Sequence, residues 1–180
     1  MIEIWTVGHS NRTFEEFLSL LLPQQIRALA DVRRFPGSRK YPHFGQAQLS
    51  GSLHRAGIQY FHFAQLRRRR KALADSPNTA WRNAAFRGFA DYMGSPDFTA
   101  GIERLLEIGQ RYRTAIMCAE ALWWQCHRGL IADFLKSQGH LVWNILRPGK
   151  LQEHPFTSAA GLVSGALSYA ARAKDLEFGL

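Results

Sequence analysis

The chain has 180 residues, 46% of them hydrophobic and 12% aromatic, which excludes disorder and suits one domain. No apolar run approaches the roughly 20 residues of a membrane span, so no membrane partner is expected. With 23 Lys+Arg against 14 Asp+Glu the formal charge is +9, which points to acidic partners, nucleic acid or nucleotide first.

Ile2 to Val7 reads as a first strand, without the basic n-region or cleavage site of a signal peptide. Two cysteines are no disulfide framework, so a reduced, cytoplasmic chain is expected. Thr13-Phe-Glu-Glu16 is a capping box ahead of Phe17, Leu18, Leu21 and Leu22, and predicts a helix. Ala28 to Arg33 is a short apolar second strand ending in charges. Gln46 to Ala56 is a helix stopped by Gly57, and Ile58 to Phe63 a third strand. Residues 67–80 read as a basic loop and Trp81 to Tyr92 as a helix. Ser95-Pro96-Asp97 supplies a cap, a first-position proline and a first-turn acid for a helix to about Gln110. Thr114 to Cys118 is the fourth strand, Arg128 to Gln138 a helix, and His140 to Leu146 the fifth strand. Ser158 to Ala171 reads as a last helix. The alternation predicts an α/β fold. It predicts that residues 1–180 form a single doubly wound domain, with a mostly parallel five-stranded sheet and helices on both faces.

Three strand ends carry polar clusters, and in a parallel sheet these gather on the edge where ligands bind. The first is His9-Ser10-Asn11-Arg12. His9 suits a general base or a metal ligand, and equally a loop histidine that caps the first helix with Ser10 and Asn11. The second runs from Asp31 to Arg39. Asp31 interrupts an apolar strand and needs a partner such as Arg33 or Arg34, because a bare buried carboxylate is costly; it is either half of a structural pair or an active carboxylate. Arg33, Arg34, Arg39 and Lys40 surround the turn Pro36-Gly37-Ser38, and guanidinium forks suit phosphate oxygens, unless the loop is merely solvated.

The third cluster is Cys118 to Arg128. Cys118 ends a buried strand, where a cysteine serves as a small core residue or a nucleophile. Cys126 immediately precedes a predicted helix start, and that position beside His127 and Arg128 favours a thiolate. Glu120 suits a general acid/base or a group orienting His127. Seven residues separate the cysteines, too many for a common zinc knuckle, and no metal is expected. A phosphatase loop fits no better, since Cys118 lies ten residues before Arg128 and Cys126 only two. Arg67 to Lys71 is a dense cationic run, and Trp81-Arg82-Asn83 opens a stretch that mixes aromatics with arginines. Such mixing is compatible with base stacking, although Phe86, Phe89 and Met93 at helical spacing favour a packed core face.

These segments together resemble a bacterial and archaeal family catalogued as domain of unknown function 488. The resemblance rests on Thr6 to Arg12, Asp31 to Arg39, Trp81 to Tyr92, Met117 to Arg128 and His154-Pro-Phe-Thr157. It implies an α/β fold and a polar site built from those segments, but no established reaction. Members usually carry Leu-Gly-Gly after the third strand, whereas here four arginines follow Leu66. That exchange removes the close backbone approach that glycine allows.

The expected function is an enzyme acting on a phosphate-containing substrate, nucleic acid or nucleotide. Arg33, Arg34, Arg39 and Arg128 would hold the anion, with Ser10, Asn11, Arg12, Ser38 and Arg82 as further binding residues. Cys118, Glu120, Cys126, His127, His9 and Asp31 are the catalytic candidates. The alternatives are a thiol-dependent enzyme of the sulfurtransferase or phosphatase kind, and a non-catalytic nucleic-acid-binding module. The sequence names no cofactor.

Overall fold

The computed structural model describes residues 1–37, 40–67 and 71–171. The strands of its main sheet are β1 (Glu3–Gly8), β2 (Ala28–Asp31), β3 (Gln59–His62), β4 (Thr114–Cys118), β5 (Leu141–Arg147) and β6 (Lys150–Glu153). The helices are α1 (Phe14–Leu21), α2 (Gln46–Arg55), α3 (Ala84–Tyr92), α4 (Pro96–Arg111) and α5 (Arg128–Ser137). A hairpin, β7 (Gly161–Val163) with β8 (Ala166–Ser168), stands apart from the sheet.

The sheet runs in the order β3-β2-β4-β1-β5-β6, parallel except for the β5–β6 pair. Every residue of β2 and β4 is buried, as strands covered on both faces must be. Alternate residues serve opposite faces. Trp5, Val7, Ala115 and Met117 pack with Phe17, Leu20 and Leu21 of α1 and Leu49 and Leu53 of α2. Ile4, Ile116 and Cys118 pack with Phe86 and Phe89 of α3, Phe98, Ile102 and Leu105 of α4, and Leu130, Ile131 and Leu135 of α5.

The winding explains the two layers. From β1 the chain passes through α1, β2 and α2 to the β3 edge, then returns through α3 and α4 to β4, and through α5 to β5 beyond β1. Crossovers of one hand place their helices on opposite faces when the direction reverses. β1 and β4 are neighbours, with Gly8 level with Cys118, yet their following helices lie on opposite faces. Their carboxyl ends therefore flank a crevice at the topological switch point.

The structure corrects three expectations. The main sheet has six strands rather than five: β6 turns back through Gly149 (φ 72°) to pair with β5. α3 begins at Ala84 rather than Trp81, because Asn83 Oδ1 accepts from the backbone N–H of Ala85 (2.9 Å) and caps the helix there. Residues 158–171 hold the β7–β8 hairpin instead of a helix. Its loop residues, Ser164 (φ 50°) and Gly165 (φ 82°), are both left-handed, as a tight two-residue turn between twisted strands requires.

Candidate active site at the carboxyl ends of β1 and β4

The parallel ladder continues past the ends of β1 and β4. His9 N donates to Cys118 O (3.0 Å) and Ser10 N to Ala119 O (2.9 Å), which brings the first and third polar clusters together. Gly8 is needed for this approach, since a Cβ there would sit 1.8 Å from Glu120 O. Arg12 turns back to donate from Nη1 to Gly8 O (2.9 Å), and His43 Nε2–H donates to Arg12 O (2.8 Å).

The second cluster enters through a buried ion pair. Arg33 donates from Nε to Asp31 Oδ1 (2.9 Å) and from Nη2 to Oδ2 (2.6 Å). Asp31 is fully buried and also accepts from Arg33 N (3.0 Å) and the Tyr60 hydroxyl (2.7 Å), so a single carboxylate anchors the loop after β2. Burial and the adjacent Asp31 carboxylate push the Tyr60 hydroxyl well above its ordinary value. Arg33 Nη2 further donates to Phe44 O (2.9 Å), and Nη1 to His9 Nε2 (3.2 Å). The opposite nitrogen of His9 donates to Ser10 O (2.8 Å), which fixes the tautomer, and the ring stacks on Phe44 at 4.2 Å. Burial, then the neighbouring Arg33 cation, lowers the His9 pKa to about 4. His9 is thus neutral, and its one lone pair is occupied.

The third cluster is organised by Arg128, which is 1% exposed at the start of α5. Its Nη1 donates to Cys118 Sγ and to Glu120 O (2.5 Å), and its Nη2 to Ala121 O (2.8 Å). Burial would lower the guanidinium pKa, but the two thiols outweigh it and hold the group charged. Cys126 Sγ lies 3.4 Å from His127 Nδ1 and accepts from the Arg128 backbone N–H at 3.5 Å. His127 Nε2–H donates to Leu66 O (2.9 Å), so in the neutral ring Nδ1 carries the lone pair and faces the thiol. Burial, followed by hydrogen bonding and charge from Cys126, raises the Cys118 thiol well above its ordinary value.

Both thiols and His127 line a cleft of about 420 Å³, together with Arg33, Arg34, Phe35, Ala85, Ala119 and Glu120. A second cleft of about 380 Å³ is lined by His9, Ser10, Asn11, Gly37 and Tyr41, and shares Arg33, Phe35, Ala119 and Glu120 with the first. Among the described residues no three His, Cys, Asp or Glu side chains come together as a metal-binding group.

A family model described as domain of unknown function DUF488 matches residues 13–135. The chain belongs to the DUF488 family. No curated protein and no solved structure matches it.

The DUF488 match spans Asp31 to Arg39 and Cys118 to Arg128, but begins after His9-Ser10-Asn11-Arg12. The fold supplies that missing side of the site through the β1–β4 pairing. Of the residues singled out in the sequence, Cys118, Glu120, Cys126, His127, Arg33 and Arg34 share the first cleft, and His9, Ser10 and Asn11 the second. Asp31, Arg12 and Arg128 line neither cleft; Asp31 holds Arg33, Arg12 donates to Gly8 O, and Arg128 donates to Cys118 Sγ and Glu120 O. Arg82 is exposed and lines neither, and Ser38 and Arg39 lie outside the described residues, as do Arg68 to Arg70.

Sequence reasoning missed Phe35, Ala85, Tyr60 and the carbonyls of Leu66 and Phe44. Phe35, 68% exposed and facing the Arg34 guanidinium at 4.7 Å, carried a signal as an apolar residue in a cationic turn. The carbonyls carried none, because any residue supplies one.

Proposed function

We propose that this DUF488 protein is a thiol-dependent enzyme in which Cys126 is the nucleophile and His127 its base. The observation that carries the reading is the Cys126 Sγ–His127 Nδ1 contact of 3.4 Å, with His127 oriented from behind by Leu66 O. Nucleophile, base and orienting acceptor in line are the requirements for an activated thiol. The Arg128 backbone N–H and the α5 N-terminus favour negative charge at the same sulfur. The thiol proton passes to His127 Nδ1, Sγ attacks an electrophilic centre in the first cleft, and the imidazolium returns the proton to the leaving group.

The expectation of a phosphate held by arginine forks finds less support. Arg33 and Arg128 direct their terminal nitrogens at protein acceptors, and Arg34 at the rim suits an anionic portion of the substrate. The loop after β4 also turns the carbonyls of Glu120 and Ala121 toward Arg128, opposite to the N–H cradle that a phosphatase-type site needs.

Iodoacetamide labelling followed by peptide mapping tests the assignment. Cys126 should label faster than an unperturbed thiol, and Cys118→Ala should leave that rate largely intact. His127→Gln should slow it at least about tenfold, as loss of a general base does. Preferential labelling of Cys118, or equal rates in wild type and His127→Gln, overturns the reading.

A further inference from the structure

A nucleophilic thiol at Cys126 does not account for Cys118. The two sulfurs lie on the same cleft and are bridged by one residue: Arg128 touches Cys118 Sγ with its side chain and Cys126 Sγ with its backbone N–H. Cys118 is on the last residue of β4 and Cys126 on the loop entering α5, so the pair joins two separate elements across the cleft. Cys118 donates its S–H to Glu120 O (3.7 Å), which points that proton away from the sulfur lone pairs. Both side chains are 2% exposed, so access runs through the cleft rather than from bulk solvent.

We propose that Cys118 and Cys126 form a redox-active dithiol that reduces a small hydroperoxide entering this cleft, with Cys126 as the oxidised thiol and Cys118 as the resolving thiol. The proposal rests on Cys126 being the reactive thiol of the reading above. In the first step the Cys126 thiolate attacks the terminal peroxide oxygen. The O–O bond breaks, Cys126 becomes a sulfenic acid, and the departing alkoxide takes the proton held by His127 Nδ1. In the second step Cys118 Sγ attacks the sulfenic sulfur. An S–S bond forms, and the leaving hydroxide takes the Cys118 proton as water. The two thiols lose two electrons and the hydroperoxide gains them, giving a disulfide, an alcohol and water.

The division of roles follows from the surroundings. A resolving thiol has to stay close and unreacted while its partner is oxidised. Cys118 is buried on a rigid strand end, donates its S–H to Glu120 O and is held in place by Arg128, which keeps it close. The partner has to carry the charge, and Cys126 is the sulfur that meets both the imidazole and the helix N–H. A protein with such a pair needs a thiol reductant, a small dithiol or a reduced thiol protein, to restore it after each turnover.

The test is treatment of the reduced full-length protein with hydrogen peroxide, followed by non-reducing peptide mapping. A Cys118–Cys126 disulfide within one chain, reversed by dithiothreitol, is the expected product. Cys118→Ala should accumulate a sulfenic acid at Cys126 that dimedone traps, and Cys126→Ala should leave Cys118 unoxidised at the same dose. Circular dichroism of both variants checks that they fold, and the wild-type mapping stands without them. Sulfinic acid at Cys126 with Cys118 free overturns the proposal. So does no oxidation of a protein whose Cys126 still reacts with iodoacetamide, an outcome that leaves the thiol-enzyme reading standing. Failure of both reagents at Cys126 removes both.

Discussion

His9 shows how surroundings set what a histidine can do. Both ring nitrogens are occupied, one donating to Ser10 O and one accepting from Arg33, and burial against Phe44 disfavours the charged form. Its pKa falls from 6.5 unfolded to about 4 folded. Below pH 6.5 the unfolded state takes up a proton that the folded state refuses, so stability is fully present above that value and declines as the pH falls toward 4. The full loss is about 3 kcal/mol for this one group. Urea unfolding between pH 7 and pH 4 should show that slope, and His9→Gln should flatten it; an unchanged slope in the variant would assign the effect to other groups. Arg33 and Arg128 follow the same logic with opposite charge. Their type and position point to anion binding, yet the terminal nitrogens of each donate to acceptors that the fold brings to it.

Among elements, those with caps were legible and those held by distant partners were not. The Thr13–Glu16 capping box and the Ser95 cap with Pro96 both start helices where the sequence places them, because cap and helix lie within four residues. β6 escaped notice because it is an edge strand whose residues are exposed or only half-buried, leaving little hydrophobic alternation. Residues 158–171 hold the β7–β8 hairpin although Ala159, Ala160, Leu162 and Ala166 satisfy helical composition equally well. Asp133 on α5 decides the matter. It is fully buried and accepts from Thr157 N (2.9 Å), Thr157 Oγ1 (2.6 Å), the Tyr169 hydroxyl (2.9 Å) and His154 Nε2–H (2.9 Å). His154 in turn accepts at Nδ1 from Asn144 on β5 (3.1 Å). Both ends of the hairpin are thereby tied to the α5 face of the sheet. Asp133→Ala leaves buried donors unpaired and should cost about 3–5 kcal/mol. Hydrogen exchange should then show the 161–168 amides losing protection before the main sheet does; uniform loss would mean that the hairpin is held by other contacts.

At the scale of the whole molecule, the formal charge of +9 is a long-range property that no single contact cancels. It predicts sequence-independent binding to duplex DNA that is measurable near 50 mM salt and largely lost by about 200 mM. A filter-binding series across that range checks it, and salt-insensitive binding or none at low salt would count against a polyanion partner. No helix among the described residues is long and apolar enough to cross a membrane. The sequence by itself determined the α/β class, the order of the parallel strands' elements along the chain, and the three strand ends that meet at the site. Those depend on period, caps and turn residues, which are local. Only the tertiary structure decided that β1 and β4 are neighbours, that Gly8 lets their loops touch, and that the His9 ring is occupied by Ser10 O and Arg33 while His127 Nδ1 lies beside Cys126 Sγ. Pairing and partner choice depend on residues far apart in the chain. A guanidinium or imidazole carries the same chemistry in either role until the fold places acceptors around it.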